Sequence, residues 1–159
     1  MYEASAMLIR ELAGRQAIHD ALMRYCRGVD LLDADLICSA YHPDAVDEHG
    51  PYPYSGVTVG PAIADRLQPL TASLHMIGSE LVEFVDSDTA NVESCFTMWL
   101  VLQEESVEKV CYGFGRYRDR FGRRNGDWRI NHRVAHLEWE RTIVDAQKLS
   151  TLWQAVMHD

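Results

Sequence analysis

Several signatures are missing from this 159-residue chain, and each absence removes a class of function. No window approaches the ~18 apolar residues of a membrane span. The opening MYEASAMLIRELAGRQ lacks a basic start followed by an apolar run, so no secretory leader is expected. There is no GxSxG, no GxGxxG behind a strand and no P-loop. His132 and His136 share a strand face, and His42, Asp44, Asp47 and His49 crowd one segment. No HExxH or Cys–His zinc spacing organises them, so neither metal nor cofactor is expected. Cys26, Cys38, Cys95 and Cys111 form no CxxC pair and sit among apolar neighbours, which predicts reduced thiols and a cytoplasmic protein. Positive charge is scarce. Fifteen Lys and Arg stand against 24 Asp and Glu, a formal net charge of −9 that disfavours nucleic acid and anionic membranes as partners. The one basic stretch, Arg116 to Arg124, alternates as the solvated face of a β-hairpin does.

What is present reads as one globular domain over 1–159, with 47% hydrophobic and 25% charged residues. Ile18, Leu22, Tyr25, Cys26 and Val29 recur at three- and four-residue intervals and draw one apolar helical stripe. Gly28 is expected to loosen the last turn. A short helix around Leu36, Ile37 and Ala40 should stop at Tyr41-His42-Pro43-Asp44. A brief strand from Ala45 to His49, a stiff loop from Gly50 to Gly56, and a helix from Gly60-Pro61 towards Leu70 follow. From His75 the period becomes two. Strands are expected to Val85, from Thr89 to Gln103, from Lys109 to Phe121 and from Trp128 to Trp139, with Asp86-Ser87-Asp88 and Asn125-Gly126 as turns. A closing helix, Asp145 to Met157, carries Leu149, Leu152, Trp153 and Val156 on one face. Helices followed by a meander of long strands make an α+β layout. A bent sheet around the first helix would leave a conical cavity for a small ligand.

Two stretches carry chemistry: Arg24-Tyr25-Cys26-Arg27-Gly28-Val29-Asp30, and Leu74-His75-Met76-Ile77-Gly78-Ser79. The first puts an acid at the C-terminal end of a helix, where it opposes the macrodipole. The second puts a histidine at the mouth of a strand. A carboxylate that orients an imidazole makes a workable general base near neutral pH. Other candidates have bland readings beside the functional one. Tyr25 lies on the apolar stripe, so packing and a hydroxyl turned into the pocket are both open. His49 and Tyr54 could close over a substrate or decorate a loop. Arg116, inside a strand, needs an anion, either a substrate or a neighbouring acid. Trp99 and Trp139 could fill the core, cover a subunit interface or stack on a ligand.

Ile18 to Tyr25 leading to Asp30, Tyr41-His42-Pro43-Asp44-Ala45, Asp47-Glu48-His49-Gly50, Leu74-His75, Gly115-Arg116-Tyr117, Asp119-Arg120-Phe121 and Gly126 to Ile130 together resemble the SnoaL-like family. That family is a branch of the nuclear-transport-factor-2-like superfamily, which includes dehydratases of the scytalone and bile-acid type and hexachlorocyclohexane dehydrochlorinase. The resemblance implies a cone-shaped, strongly bent mixed sheet wrapped round an N-terminal helix, the cystatin-like α+β barrel. By position it implies a catalytic Asp30–His75 dyad assisted by Tyr25. His49, Tyr54, Trp99, Arg116 and Trp139 become candidate substrate contacts. Thr97, Met98 and Trp99 stand where some of these dehydratases carry a second acid or histidine. The implied activity is a cofactor-independent lyase acting on a small hydrophobic cyclic or aromatic substrate, in a homodimer or homotrimer. Isomerases and polyketide cyclases of ketosteroid-isomerase type, and non-catalytic ligand-binding modules or subunits, share the scaffold.

Overall fold

The computed structural model describes residues 2–50, 53–105 and 107–144. In chain order the elements are α1 (Tyr2–Leu31), α2 (Ala34–Ser39), β1 (Tyr41–Glu48), β2 (Tyr54–Ser55), α3 (Val59–Leu67), β3 (Leu70–Phe84), β4 (Thr89–Glu104), β5 (Val107–Arg124) and β6 (Asp127–Val144). The closing helix expected over 145–157 lies outside the described residues. Among those described, no helix is long and apolar enough to cross a membrane.

The strands form one open mixed sheet, ordered β2-β1-β6-β5-β4-β3. β3 to β6 make the antiparallel meander, and β1 returns to pair parallel with β6. Period-two patterning decides which side faces α1. Ala90, Val92, Ser94 and Phe96 of β4 are buried, as are Tyr117, Asp119 and Phe121 of β5. The alternate residues point to the other, outer face. Register shifts at Gly78/Leu81, Phe114/Gly115 and Arg120/Phe121 interrupt the ladders. Such bulges bend strands and curl the sheet about the helix. The Asn125-Gly126 turn forms as expected, both residues having positive φ (54° and 86°), as a tight hairpin requires.

The predicted stripe on α1 is buried in full: Ile18, Leu22, Tyr25, Cys26 and Val29 pack into the core with Ala21. Before Gly14 the helix outruns the sheet, leaving Met7, Leu8, Ile9 and Leu12 exposed. Several boundaries move from expectation: β3 starts at Leu70 rather than His75, β5 and β6 run on to Arg124 and Val144, and the short β2 lies inside the expected loop. α3 stops at Leu67 because Pro69, without an N–H, cannot extend it. β1 starts at Tyr41, earlier than expected, but its pairing with β6 shifts register between Tyr41 and Val46, the stretch that holds Pro43.

Gly28 does more than loosen a turn. A Cβ there would lie 2.7 Å from the Ile37 backbone nitrogen, so glycine lets α2 press directly on α1. Gly28→Ala should gain helix propensity yet lose about 1–3 kcal/mol net through this overlap. Gly78→Ala, whose Cβ would meet nothing within 4 Å, should stay within about 0.5 kcal/mol of the parent. Urea unfolding of the two variants measures the difference.

Candidate active site

The end of α1 is fixed by its own backbone. Leu32 takes a left-handed φ of 55°, its N–H bonds the Val29 carbonyl at 3.2 Å, and the Asp33 N–H bonds the Gly28 carbonyl at 2.8 Å. This is the Schellman ending, here without glycine at the left-handed position. Asp33 then caps α2, its Oδ1 accepting from the Leu36 N–H at 2.9 Å. Two helix ends meet in one tight corner, and Asp30 sits in the turn just before it.

From that corner Asp30 reaches β3, which is an edge strand. Its Oδ2 accepts the His75 backbone N–H at 3.0 Å. Its Oδ1 lies 2.7 Å from His75 Nδ1 and accepts the Ser73 hydroxyl at 3.0 Å. With a carboxylate oxygen as acceptor, an uncharged His75 in this contact carries its hydrogen on Nδ1 and its lone pair on Nε2. Neither side chain is open to bulk water: His75 is 9% and Asp30 18% exposed. Parity puts His75 on the helix side of the sheet, opposite Met98.

A second polar cluster lies in the core. Arg133 is fully buried and forks onto Asp119, Nε to Oδ1 at 2.8 Å and Nη2 to Oδ2 at 2.6 Å. Its guanidinium carbon sits 4.0 Å from the Tyr117 ring centre and 4.4 Å from that of Tyr25. Burial, the largest single influence, opposes the guanidinium's charge, but Asp119 together with the surrounding Tyr41 and Tyr25 raises the Arg133 pKa above its ordinary value. Arg133 also reaches the Tyr41 hydroxyl at 3.4 Å, and Tyr41 donates to Asp47 Oδ2 at 2.6 Å. Burial raises the Asp47 pKa, with Arg133 and the Tyr41 hydroxyl pulling the other way. Among the described residues, the buried side-chain atoms without a hydrogen-bond partner are Asp47 Oδ1 and Ser94 Oγ.

His49 extends this core cluster. Its Nδ1 lies 3.3 Å from the Tyr25 hydroxyl and 3.8 Å from Asp47 Oδ1. Burial, reinforced by the charges of Arg133, Arg66 and His75, depresses its pKa to about 3. Burial likewise pushes the Tyr25 hydroxyl above its usual range and the Cys26 thiol up to about 11. At neutral pH, then, Tyr25 is a phenol, Cys26 an inert thiol and His49 an uncharged imidazole.

Tyr25 thus pairs with His49, and Asp30 with His75, each pair linking α1 to the segment packed against it. Tyr54, half-buried on β2, pairs with Asp47 in the ladder and packs against the core. Trp99, Arg116 and Trp139 are not brought there. Register puts them on the outer face, Trp99 against Tyr112 and Trp139 against Phe114. Arg116 is not buried: it is 40% exposed, and Glu93 and Glu138 supply its anions at 3.0 and 2.7 Å. Arg133 and Ser73 went unread in the sequence; Asp47 was read only within a crowd of possible metal ligands, and Tyr41 and Asp119 only as part of the family resemblance. Asp119 did carry a signal, an acid at the inward parity between Tyr117 and Phe121. Arg133 carried none, because the bulge opposite Arg120/Phe121 resets parity on β6.

The model of the SnoaL-like domain matches residues 10–134. The chain belongs to the SnoaL-like domain family. Solved structures agree on the SnoaL-like fold. A hexachlorocyclohexane dehydrochlorinase (LinA) type 2 is 22% identical, with 88% of this chain and 95% of that one covered at a TM-score of 0.76. A putative scytalone dehydratase from Novosphingobium aromaticivorans is 17% identical over 89% and 93% of the two chains, with a TM-score of 0.73. A protein with a cystatin-like fold from Nostoc punctiforme is 15% identical over 78% and 90%, with a TM-score of 0.64. No curated protein matches the chain.

Within this SnoaL-like core the buried ion pair yields a stability test. Asp119→Ala strands the Arg133 charge and should cost about 3–5 kcal/mol. Replacing both partners, with Asp119→Val and Arg133→Met, should restore most of that loss. Denaturant midpoints of the two variants decide it.

Proposed function

We propose that this SnoaL-like protein is a cofactor-independent lyase in which His75 is the general base and Asp30 orients it. The observation that carries the reading is the contact of 2.7 Å between Asp30 Oδ1 and His75 Nδ1, backed by the N–H of the same residue on Oδ2. Three donors from β3 fix the carboxylate, and the carboxylate fixes the tautomer. Nε2 then takes a proton from carbon, and Asp30 stabilises the imidazolium that forms. Tyr25, His49 and Tyr54 are the proposed substrate contacts. Its likeness to a dehydrochlorinase and a putative dehydratase supports loss of a small group from a hydrophobic, cyclic or aromatic substrate. An isomerase needs the same base and differs in returning the proton to carbon.

The outer face of the sheet supports self-association. Leu74, Met76, Trp99, Phe114 and Trp139 are large, apolar and 42–51% exposed, neighbours across three ladders. A contiguous patch of this kind is the mark of an interface. We assign Trp99 and Trp139 to a homodimer or homotrimer contact, and the free thiols to a cytoplasmic protein.

A screen of small alicyclic and aromatic compounds for release of water or halide tests the lyase reading. On a substrate so found, His75→Ala should lower kcat by at least about 10²-fold while the thermal midpoint stays near the parent's. Full turnover by His75→Ala refutes it.

A further inference from the structure

No lysine or arginine among the described residues pairs with Asp30, so hydrogen bonds alone serve its two oxygens. The load is uneven. Oδ2 accepts one hydrogen, from the His75 backbone at 3.0 Å, whereas Oδ1 meets both the Ser73 hydroxyl at 3.0 Å and His75 Nδ1 at 2.7 Å. Ser73 and His75 stand two residues apart on β3, so both side chains face α1, with Ser73 Oγ 3.5 Å from Nδ1. Around them, Cys26 of α1 is a thiol pushed up to about 11 by burial, Asp30 adding to the rise. Across the ladder, β4 sets Met98 opposite His75 and Leu100 opposite Ser73. His49, after β1, is held uncharged chiefly by burial. The cations on that side are engaged elsewhere: Arg66 of α3 on the His49 carbonyl at 3.4 Å, and Arg133 of β6 on Asp119 at 2.6 Å.

Resting on His75 as general base, we infer that Ser73 is a positioning residue that sets the strength of that base: its hydroxyl, donating to Asp30 Oδ1, weakens the carboxylate's hold on the imidazole and keeps Nε2 free of hydrogen to lower pH than Asp30 alone would. The cause is competition for one oxygen. Each donor on a carboxylate draws off part of its negative charge. An imidazolium bonded to Oδ1 is stabilised by the charge that remains. With the Ser73 hydrogen already in place less remains, and protonation of His75 gains less.

A general base faces two opposed demands: it must be strong enough to take its proton, yet still unprotonated when the substrate arrives. Asp30 serves the first and Ser73 the second. The backbone N–H on Oδ2 acts in the same direction as the hydroxyl, but any residue at position 75 except proline supplies it, whereas the hydroxyl depends on the side chain at position 73. The sign follows directly. Removing the hydroxyl returns charge to Oδ1, favours the imidazolium and moves proton uptake by His75 to higher pH. The expected size is about 0.5 pH unit, or about threefold in proton affinity.

Imidazole carbon–proton NMR of the full chain across pH, with the His75 signal assigned by its loss in His75→Gln, tests this without any substrate. Ser73→Ala should raise the His75 midpoint by about 0.5 pH unit. Truncation also removes packing, so Ser73→Thr and Ser73→Val form the deciding pair: one shape on the strand, with and without the hydroxyl. The Thr variant should stay within about 0.2 pH unit of the parent, and the Val variant should rise with Ala. No rise in Ser73→Ala, or equal midpoints for Thr and Val, overturns the inference. So does an equal rise at His19 and His132, which sit on other carboxylates. On a substrate from the screen, the acid limb of kcat/KM should move with the midpoint in the Val variant and stay in the Thr variant. Full turnover by His75→Ala would remove the general base and leave the NMR comparison standing. An unmoved midpoint beside an inactive His75→Ala would remove the role of Ser73 alone.

Discussion

One carboxylate holds a helix to the open edge of a sheet. Asp30 takes a backbone N–H, a hydroxyl and an imidazole N–H, all from Ser73 and His75 of β3. Strand and helix are far apart in sequence, so this junction forms only when the sheet has curled about α1. The dyad is therefore a product of the whole fold, and its geometry reports whether the two layers have closed correctly. Each layer contributes stiffness: the Schellman corner and the Asp33 cap on one side, strand pairing with β4 on the other.

Behind the dyad the core holds a buried cation where most domains of this size hold only hydrocarbon. Arg133 is tolerated because Asp119 matches it in charge and fork geometry and because aromatic faces line its remaining sides. Its field extends to the site. Together with burial it keeps His49 uncharged, so a residue that meets no substrate helps decide what a neighbouring imidazole can do.

Much of this was legible in the chain. The α1 stripe, the switch from period 3.6 to period two and the Asn-Gly turn each follow from local rules, although the first long strand begins at Leu70, ahead of the switch expected at His75. Asp30 and His75 stood out because neither suits its local position on structural grounds. What stayed hidden depended on register. A single bulge decides which face receives Arg133, and one residue's difference in parity sends Trp99 outward while Met98 faces in. Arg116 was read as needing an anion, a substrate or a neighbouring acid, and two glutamates on neighbouring strands supply it at the surface. Gly28 looked like a flexible joint, whereas the space it leaves is filled by α2. Pairwise contacts of this kind are not written in any local window.

The edge position of β3 has one more consequence. An unpaired strand border is an invitation to foreign chains, and proteins usually blunt it with charge, proline or a covering loop. Here the Asp30 carboxylate that meets the imidazole also occupies a main-chain hydrogen-bond position on that border. The histidine contact and the shielding of the open edge are thereby tied to the same carboxylate, so a substitution at residue 30 alters both at once.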